Sequence, residues 1–126
     1  MRRLTVVQLL PALHSGGVER STLEIAAALV QAGHRALVVS AGGRLVEPLL
    51  ASGAEHLTLD IGRKSLLTLR HMPTLRRLFA EVGADIVHAR SRLPAWLGLH
   101  AVRALPAAQR PHWVTTVHGL NSPGRY

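Results

Sequence analysis

The feature that most constrains the fold is a regular alternation of short apolar runs with longer segments of helical periodicity. The first run, 4–10, is rich in Val and Leu, is apolar on both faces of an extended chain and stops at Pro11, which is typical of a strand buried in a parallel sheet. The same reading predicts five strands, at 4–10, 36–40, 56–61, 85–88 and 112–117.

Helical segments separate these runs. They are predicted at 18–30 with an end at Gly33, at 45–51 closed by Gly53, at 65–82 interrupted by Pro73 and ended by Gly83, and at 93–105 stopped by Pro106. This order predicts an α/β fold: a doubly wound, Rossmann-like parallel sheet with helices on both faces. Because such sheets bind ligands beyond the carboxyl ends of their strands, we expect the functional residues in the loops after the first, fourth and fifth strands.

Length and composition narrow the class of protein. A chain of 126 residues with 48% hydrophobic residues forms one domain with a proper core. The absence of Cys excludes disulfides and thiolate metal sites. No uncharged apolar run reaches the roughly 18–20 residues of a spanning helix. We expect the basic start of the chain to be retained, because no signal-peptide cleavage site follows it.

The net charge of +8 leaves two interpretations open. Nearly all the basic residues are Arg, which fits an Arg-, Ala- and Leu-rich composition with no functional meaning. Alternatively, the charge forms a basic face for nucleic acid, a phosphorylated substrate or a membrane surface.

The loop after the first strand contains Gly16 and Gly17 just before a predicted helix. Two glycines there let the backbone approach a ligand, and the first N–H groups of a helix attract an anion. Neither the dinucleotide-binding nor the P-loop glycine pattern is present, so a simple tight turn stays an alternative.

The loop after the fourth strand carries Arg90, Ser91 and Arg92. Two Arg flanking a Ser beyond a buried strand can clamp a phosphate or a carboxylate. The alternatives are a solvated loop for the two Arg and a helix cap for Ser91.

The loop after the fifth strand contains His118 and Gly119. A His at the end of a buried strand lies at the ligand edge and can bond to hydroxyls near neutral pH, although a structural His remains an alternative. None of the eight His falls in a metal-binding pattern, so we predict no metal.

Taken together, four motifs in register resemble the N-terminal domain of GT-B glycosyltransferases of family 4. They lie at 16–20 (GGVER), 32–34 (AGH), 85–91 (DIVHARS) and 116–119 (TVHG). The resemblance covers essentially the whole chain, 1–126. The stretch 88–96 also resembles members that build the lipopolysaccharide core of Gram-negative bacteria.

The resemblance implies two Rossmann-like domains and a retaining, metal-independent transfer of a sugar from a nucleotide-sugar to an acceptor such as a glycolipid, with no resident cofactor. It implies that Gly16 and Gly17 approach the donor diphosphate or an acceptor phosphate. His118 would orient the transferred sugar as the catalytic residue, and Gly119 would give it room. The acceptor would be bound by Arg90 and Ser91.

The family's donor-binding domain would lie beyond Tyr126, and this part of the chain is expected to be an incomplete acceptor-side domain that is inactive alone. The implied location is cytoplasmic, peripheral to the inner face of the cytoplasmic membrane. A basic amphipathic stretch supports a membrane partner. Its cations are Arg63, Lys64, Arg70, Arg76 and Arg77. The alternative is a helix that packs its Leu on the sheet and leaves its Arg in water.

Other classes of protein fit less well. A receiver-type signalling module needs acidic residues after the first strand and a Lys where His118 stands, and a flavodoxin-like module needs a hydroxyl-rich phosphate loop. A nucleic-acid partner is not expected, because four aromatic residues are too few for a stacking surface.

Overall fold

The structure is a computed structural model that describes residues 3–12, 17–61, 70–90 and 92–116. Strands and helices alternate along these residues as predicted. The strands are β1 (Thr5–Leu9), β2 (Arg35–Ser40), β3 (Glu55–Thr58), β4 (Ile86–Arg90) and β5 (His112–Thr116). The helices are α1 (Gly17–Gln31), α2 (Val46–Ala51), α3 (His71–Val82) and α4 (Arg92–Arg103), and a short 3-10 turn (Ala107–Gln109) precedes β5.

The five strands form one parallel sheet in the order β3-β2-β1-β4-β5. The chain winds outward from β1 to β3, crosses back over the sheet, and winds outward again from β4 to β5. The direction therefore reverses between β1 and β4, which makes this pair the topological switch point. The predicted doubly wound, Rossmann-like sheet is confirmed.

Each face of the sheet is covered by its own pair of helices. Leu75 and Phe79 of α3 and Leu97 of α4 pack with Val7 and Val87 on one face. On the other face, Ala26 of α1 and Leu49 of α2 pack with Val38 and Leu10. Alternate residues of each central strand thus enter different cores, which is why these strands are apolar on both sides.

A glycine allows α4 to lie close against the sheet. A Cβ on Gly98 would be 2.5 Å from Leu9 Cδ1 and 2.9 Å from the ring of Trp113. Contacts this short cannot form, so a side chain at this position would require Leu9, Trp113 or α4 itself to move.

Proline marks the beginning of three helices. Pro48, Pro73 and Pro94 are each the third residue of their helix, where the backbone N–H has no partner within the helix. The predicted interruption at Pro73 is therefore wrong within the described residues, since α3 begins only two residues earlier, at His71. Residues 62–69 of the predicted segment lie outside the described residues.

Two strand ends differ from the prediction by more than one residue. Strand β3 stops at Thr58 rather than 61, because its partner β2 ends at Ser40. Leu59 N–H donates the last bond to Ser40 O, and the chain then turns, with Ile61 N–H donating to Leu59 O. Strand β4 continues to Arg90 rather than ending at His88. The reason is that its last residues pair with a neighbour: Ala89 with Leu9 on one side and Thr115 on the other, and Arg90 with Thr116.

Candidate functional site

The candidate site lies at the carboxyl edge of the sheet, where β1 and β4 diverge. After β1 the chain is held by two backbone bonds, from Leu10 N–H to Val39 O at 3.1 Å and from Ala41 N–H to Pro11 O at 2.8 Å. These bonds keep the end of β1 against the end of β2. A cleft of about 260 Å³ opens between this segment and the first turn of α1. It is lined by Leu10, Pro11, Ala12, Val18 and Glu19.

The predicted glycine site is described in part. Gly17 is the exposed first residue of α1, and a Cβ placed on it would meet no atom within 4 Å. Its φ is not among the positive values, so neither backbone conformation nor packing within the described residues requires glycine here. The space beside this helix end is open to a ligand. Gly16 lies outside the described residues.

Arg90 was predicted in a loop, and this placement is wrong. It is the last residue of β4, and only 2% of its surface is exposed, so a solvated loop residue is also excluded. Its Nε donates to Oε1 of Gln8 at 3.4 Å. Pairing of β4 with β1 and β5 is what carries Arg90 into the sheet. Arg92 is the first residue of α4, and Ser91 lies outside the described residues.

The charge of Arg90 is not neutralised by any carboxylate of the described residues. Burial lowers the pKa of its guanidinium from the ordinary value, and arginine nevertheless stays protonated at neutral pH. A buried cation is costly unless it gains a partner. This arrangement can bind an anionic group, such as a phosphate or a carboxylate, at the edge of the sheet.

Sequence reasoning missed Gln8, which is as buried as the core at 1% exposure. Its Nε2 donates to Thr22 O at 3.3 Å, and Thr22 Oγ1 donates to Val18 O at 2.9 Å. Gln8 thereby connects Arg90 of β4 with the first turns of α1. The available signal was a single amide side chain within an otherwise apolar central strand.

A second polar pair at this edge was also missed. Ser40 Oγ, at the end of β2, lies 2.7 Å from His56 Nε2 of β3 and accepts a bond from Gly42 N–H at 3.1 Å. Burial lowers the pKa of His56, so the ring is held in its neutral form, in which Nε2 can accept from the Ser40 hydroxyl. These groups lie one and two strands away from the switch point, and we assign them to the structure of the edge.

Two further predicted residues lie outside the described residues. His118 and Gly119 follow Thr116, whose strand pairs with β4 at Arg90. Among the described residues no group of three or more His, Asp or Glu is placed to hold a metal ion. The prediction of a metal-independent site stays a prediction.

The outer surface of α3 carries part of the predicted basic stretch. Arg70, Arg76 and Arg77 are exposed, whereas Leu75 and Phe79 are buried in the core. The apolar residues of this helix therefore pack on the domain, as the alternative interpretation held. Arg63 and Lys64 lie outside the described residues. In the described part of the chain, none of the helices has the length and apolar character to span a membrane.

The fold and the site together define a Rossmann-like α/β domain with a buried cation at its ligand edge. A family model described as Glycosyltransferase Family 4 matches residues 15–126. The chain belongs to glycosyltransferase family 4.

Two solved structures are similar to the chain. A glycosyltransferase from Rickettsia africae shares 33% identity at a TM-score of 0.82, over 98% of this chain and 32% of that one. The C-terminal domain of a hydrogenase from Pyrococcus furiosus shares 17% identity at a TM-score of 0.53, over 93% and 92% of the two chains, which is a likeness of fold alone. The comparison with curated proteins gives no match. The chain spans about a third of the length of the Rickettsia glycosyltransferase.

Proposed function

We propose that this domain is the N-terminal, acceptor-side part of a GT-B glycosyltransferase. The enzyme moves a sugar from a nucleotide-sugar to an acceptor hydroxyl, forming a glycosidic bond and releasing the nucleotide, with retention of the anomeric configuration and without a metal. The observation that carries the proposal is Arg90, a buried cation at the switch-point edge of a domain that belongs to family 4.

We assign the roles of Gly17 and Arg90 from their places at this edge, and those of Gly16, Ser91, His118 and Gly119 from the family resemblance. Gly17 begins α1 beside open space, so the adjacent backbone N–H groups can reach a phosphate of the donor or acceptor, with Gly16 assigned the same role. Arg90 binds an anionic group of the substrates, assisted by Ser91. His118 orients the transferred sugar, and Gly119 leaves room for it.

We propose a glycolipid or a saccharide of the lipopolysaccharide core as the acceptor. An anionic core sugar or a lipid phosphate would match the charge of Arg90. Such an acceptor is presented at a membrane, which supports a cytoplasmic enzyme that acts at the inner face of the cytoplasmic membrane.

The test of the proposed activity compares two histidines of the same region in the full-length protein. His118→Ala is expected to lower kcat by about 100-fold or more at saturating donor, because a group that orients the reacting sugar acts mainly in the transition state. His112→Ala removes an exposed ring at the opposite end of β5 and is the matched control, expected to leave kcat unchanged. Equal kcat values for the two variants would contradict the role of His118.

A membrane surface is the second proposed partner, and it rests on the exposed arginines of α3. Because the apolar residues of α3 are buried, the attraction is electrostatic, and we expect binding to anionic vesicles that weakens with salt. In sedimentation with phosphatidylglycerol vesicles, Arg77→Glu should reduce the bound fraction. Arg44→Glu makes the same charge change beside α2, on the other face, and should have no effect. Equal retention by anionic and neutral vesicles would exclude this partner.

A further inference from the structure

A buried amide lies in the middle of the sheet, at a position on a central strand where an apolar side chain is expected. Gln8 lies on β1, the central strand. Val6 and Leu10, before and after it on the same face, are apolar, as is Val38 beside it on β2, whereas His88 lies beside it on β4. A buried amide must be hydrogen-bonded to be tolerated, whereas a Met or Leu of similar volume carries no such requirement. A residue that makes folding more demanding in this way points to a role at the site.

The two ends of this amide contact two different elements. Oε1 accepts from Arg90 Nε at 3.4 Å, and Nε2 donates to Thr22 O at 3.3 Å. Guanidinium nitrogens only donate and a carbonyl oxygen only accepts, so one orientation of the amide satisfies both partners. The continuation from Thr22 Oγ1 to Val18 O, at 2.9 Å, extends the connection to the first turn of α1.

The partner of Arg90 is neutral, and this has a chemical consequence. A carboxylate at the same place would form an ion pair and cancel the charge of the guanidinium. The amide orients Nε and leaves the full positive charge in a buried site. Because Nε is bonded to Gln8, an anion that binds Arg90 would accept its hydrogen bonds from the terminal nitrogens.

We infer that Gln8 is a positioning residue that holds Arg90 in place as an uncancelled cation and sets its distance from the N-terminus of α1, so that both act on one anionic group of a substrate. The inference rests on the proposed function, and it adds Gln8 as the residue that positions Arg90 in the proposed anion site. The anionic group is a phosphate or a carboxylate, from either the donor diphosphate or an acidic acceptor.

The test uses calorimetric titration of the chain at low ionic strength with inorganic pyrophosphate and, separately, with glucuronate. Gln8→Glu is nearly isosteric and places a carboxylate beside Arg90. We expect the affinity of the folded variant for pyrophosphate or glucuronate to fall by about tenfold or more. A loss confined to pyrophosphate assigns the donor diphosphate, and a loss confined to glucuronate assigns an acidic acceptor.

Gln109→Glu is the matched control, because it makes the same charge change at an exposed position near the opposite edge of the sheet. It should leave both affinities within about twofold. If Gln8→Glu and Gln109→Glu bind the probes equally well, Gln8 does not position Arg90 and the inference fails while the proposed function stands.

A third variant keeps the test decisive if Gln8→Glu does not fold. Gln8→Met removes both hydrogen bonds without adding charge, and it should weaken binding less than the loss of Arg90 does. Unchanged affinity in a folded Gln8→Met would overturn the inference. If the unsubstituted chain binds neither probe, the anion site itself is absent, and the role assigned to Arg90 in the proposed function fails together with the inference.

Discussion

Two arginines lie at opposite ends of the strands, Arg35 at the amino edge of the sheet and Arg90 at the carboxyl edge, and they differ in burial and in hydrogen-bond partner. Arg35 begins β2, and its Nε and Nη2 donate to both oxygens of Glu55 at 2.6 and 2.9 Å, in a pair whose side chains are 33% and 48% exposed. Arg90 ends β4, is buried, and donates to the neutral amide of Gln8. The bond to Glu55 raises the pKa of Arg35, and burial lowers that of Arg90.

The contrast separates a charge that a carboxylate of the chain neutralises from one that no carboxylate of the described residues neutralises. At the amino edge, Glu55 neutralises Arg35, and Thr5 N–H donates a hydrogen bond to Asp85 Oδ2 at 2.7 Å. These polar groups therefore have partners within the chain. At the carboxyl edge, a cation is buried without a carboxylate among the described residues. An unneutralised buried charge that the fold tolerates is expected where a ligand supplies the missing partner.

The largest expected effect is the loss of anion affinity when the charge of Arg90 is removed, and removal of the charge of Arg35 is the comparison. Arg90→Met should lower pyrophosphate affinity by about 10- to 100-fold, the worth of charge-assisted hydrogen bonds in a buried site, and should leave the domain folded. Arg35→Met should not change the affinity and should lower stability by less than about 1 kcal/mol. Titration calorimetry and thermal unfolding of both variants measure the contrast. An equal loss of affinity in both would mean that only net charge matters.

A smaller effect, on the dependence of stability on pH, is expected from His56. Burial favours the neutral form of its ring, whereas both arginines stay charged. The pKa of His56 in the folded state lies below the ordinary value of 6.5, so the unfolded chain takes up the proton first as the pH falls. The contribution of neutral His56 to the free energy of unfolding is therefore fully present above pH 6.5. It is lost as the pH falls through the lower folded-state pKa.

Chemical unfolding between pH 7.5 and pH 5 tests this sign. His56→Gln should flatten the dependence of stability on pH, whereas His112→Gln, at an exposed position, should leave it as in the unsubstituted chain. Identical slopes for the two variants would place the pH dependence elsewhere.

The smallest effect is expected at the exposed pair. Glu55→Gln should lower the free energy of unfolding at pH 7 by less than about 1 kcal/mol, and the difference should shrink in high salt. Because Arg35 lowers the pKa of Glu55, this contribution is present above the ordinary value of 4.5 and disappears as the pH falls through the lower folded-state pKa. A fall of several kcal/mol in the free energy of unfolding, independent of salt, would show that the Arg35–Glu55 pair is not a simple surface ion pair.

The parts of the fold that follow local rules could be predicted from the sequence. The strand and helix order, and the helix ends at Gly33, Gly53 and Gly83, depend on neighbouring residues and are found where expected. The length of β4 could not be predicted, because its last residues are strand only through pairing with β1 and β5.

The place of Arg90 at the switch-point edge could be predicted from the sequence, but its burial and its hydrogen-bond partner could not. The switch-point edge follows from the β-α order, and Arg90 was chosen from it. Its burial and its partner depend on contacts across 82 residues of chain, and the bond of Gln8 to Thr22 spans 14. A single Gln in an apolar strand predicts no function by itself, because only the assembled sheet places its amide beside the guanidinium of Arg90.

The central claim is that the carboxyl edge, and not the basic surface in general, binds the anion. Titration of the isotope-labelled chain with pyrophosphate, followed by NMR, tests it most directly. We predict that the largest shifts occur at the backbone amides of 17–19 and at the guanidinium N–H groups of Arg90, with Arg35 and Arg110 unchanged. Shifts spread over the exposed arginines, with none at Arg90, would contradict it.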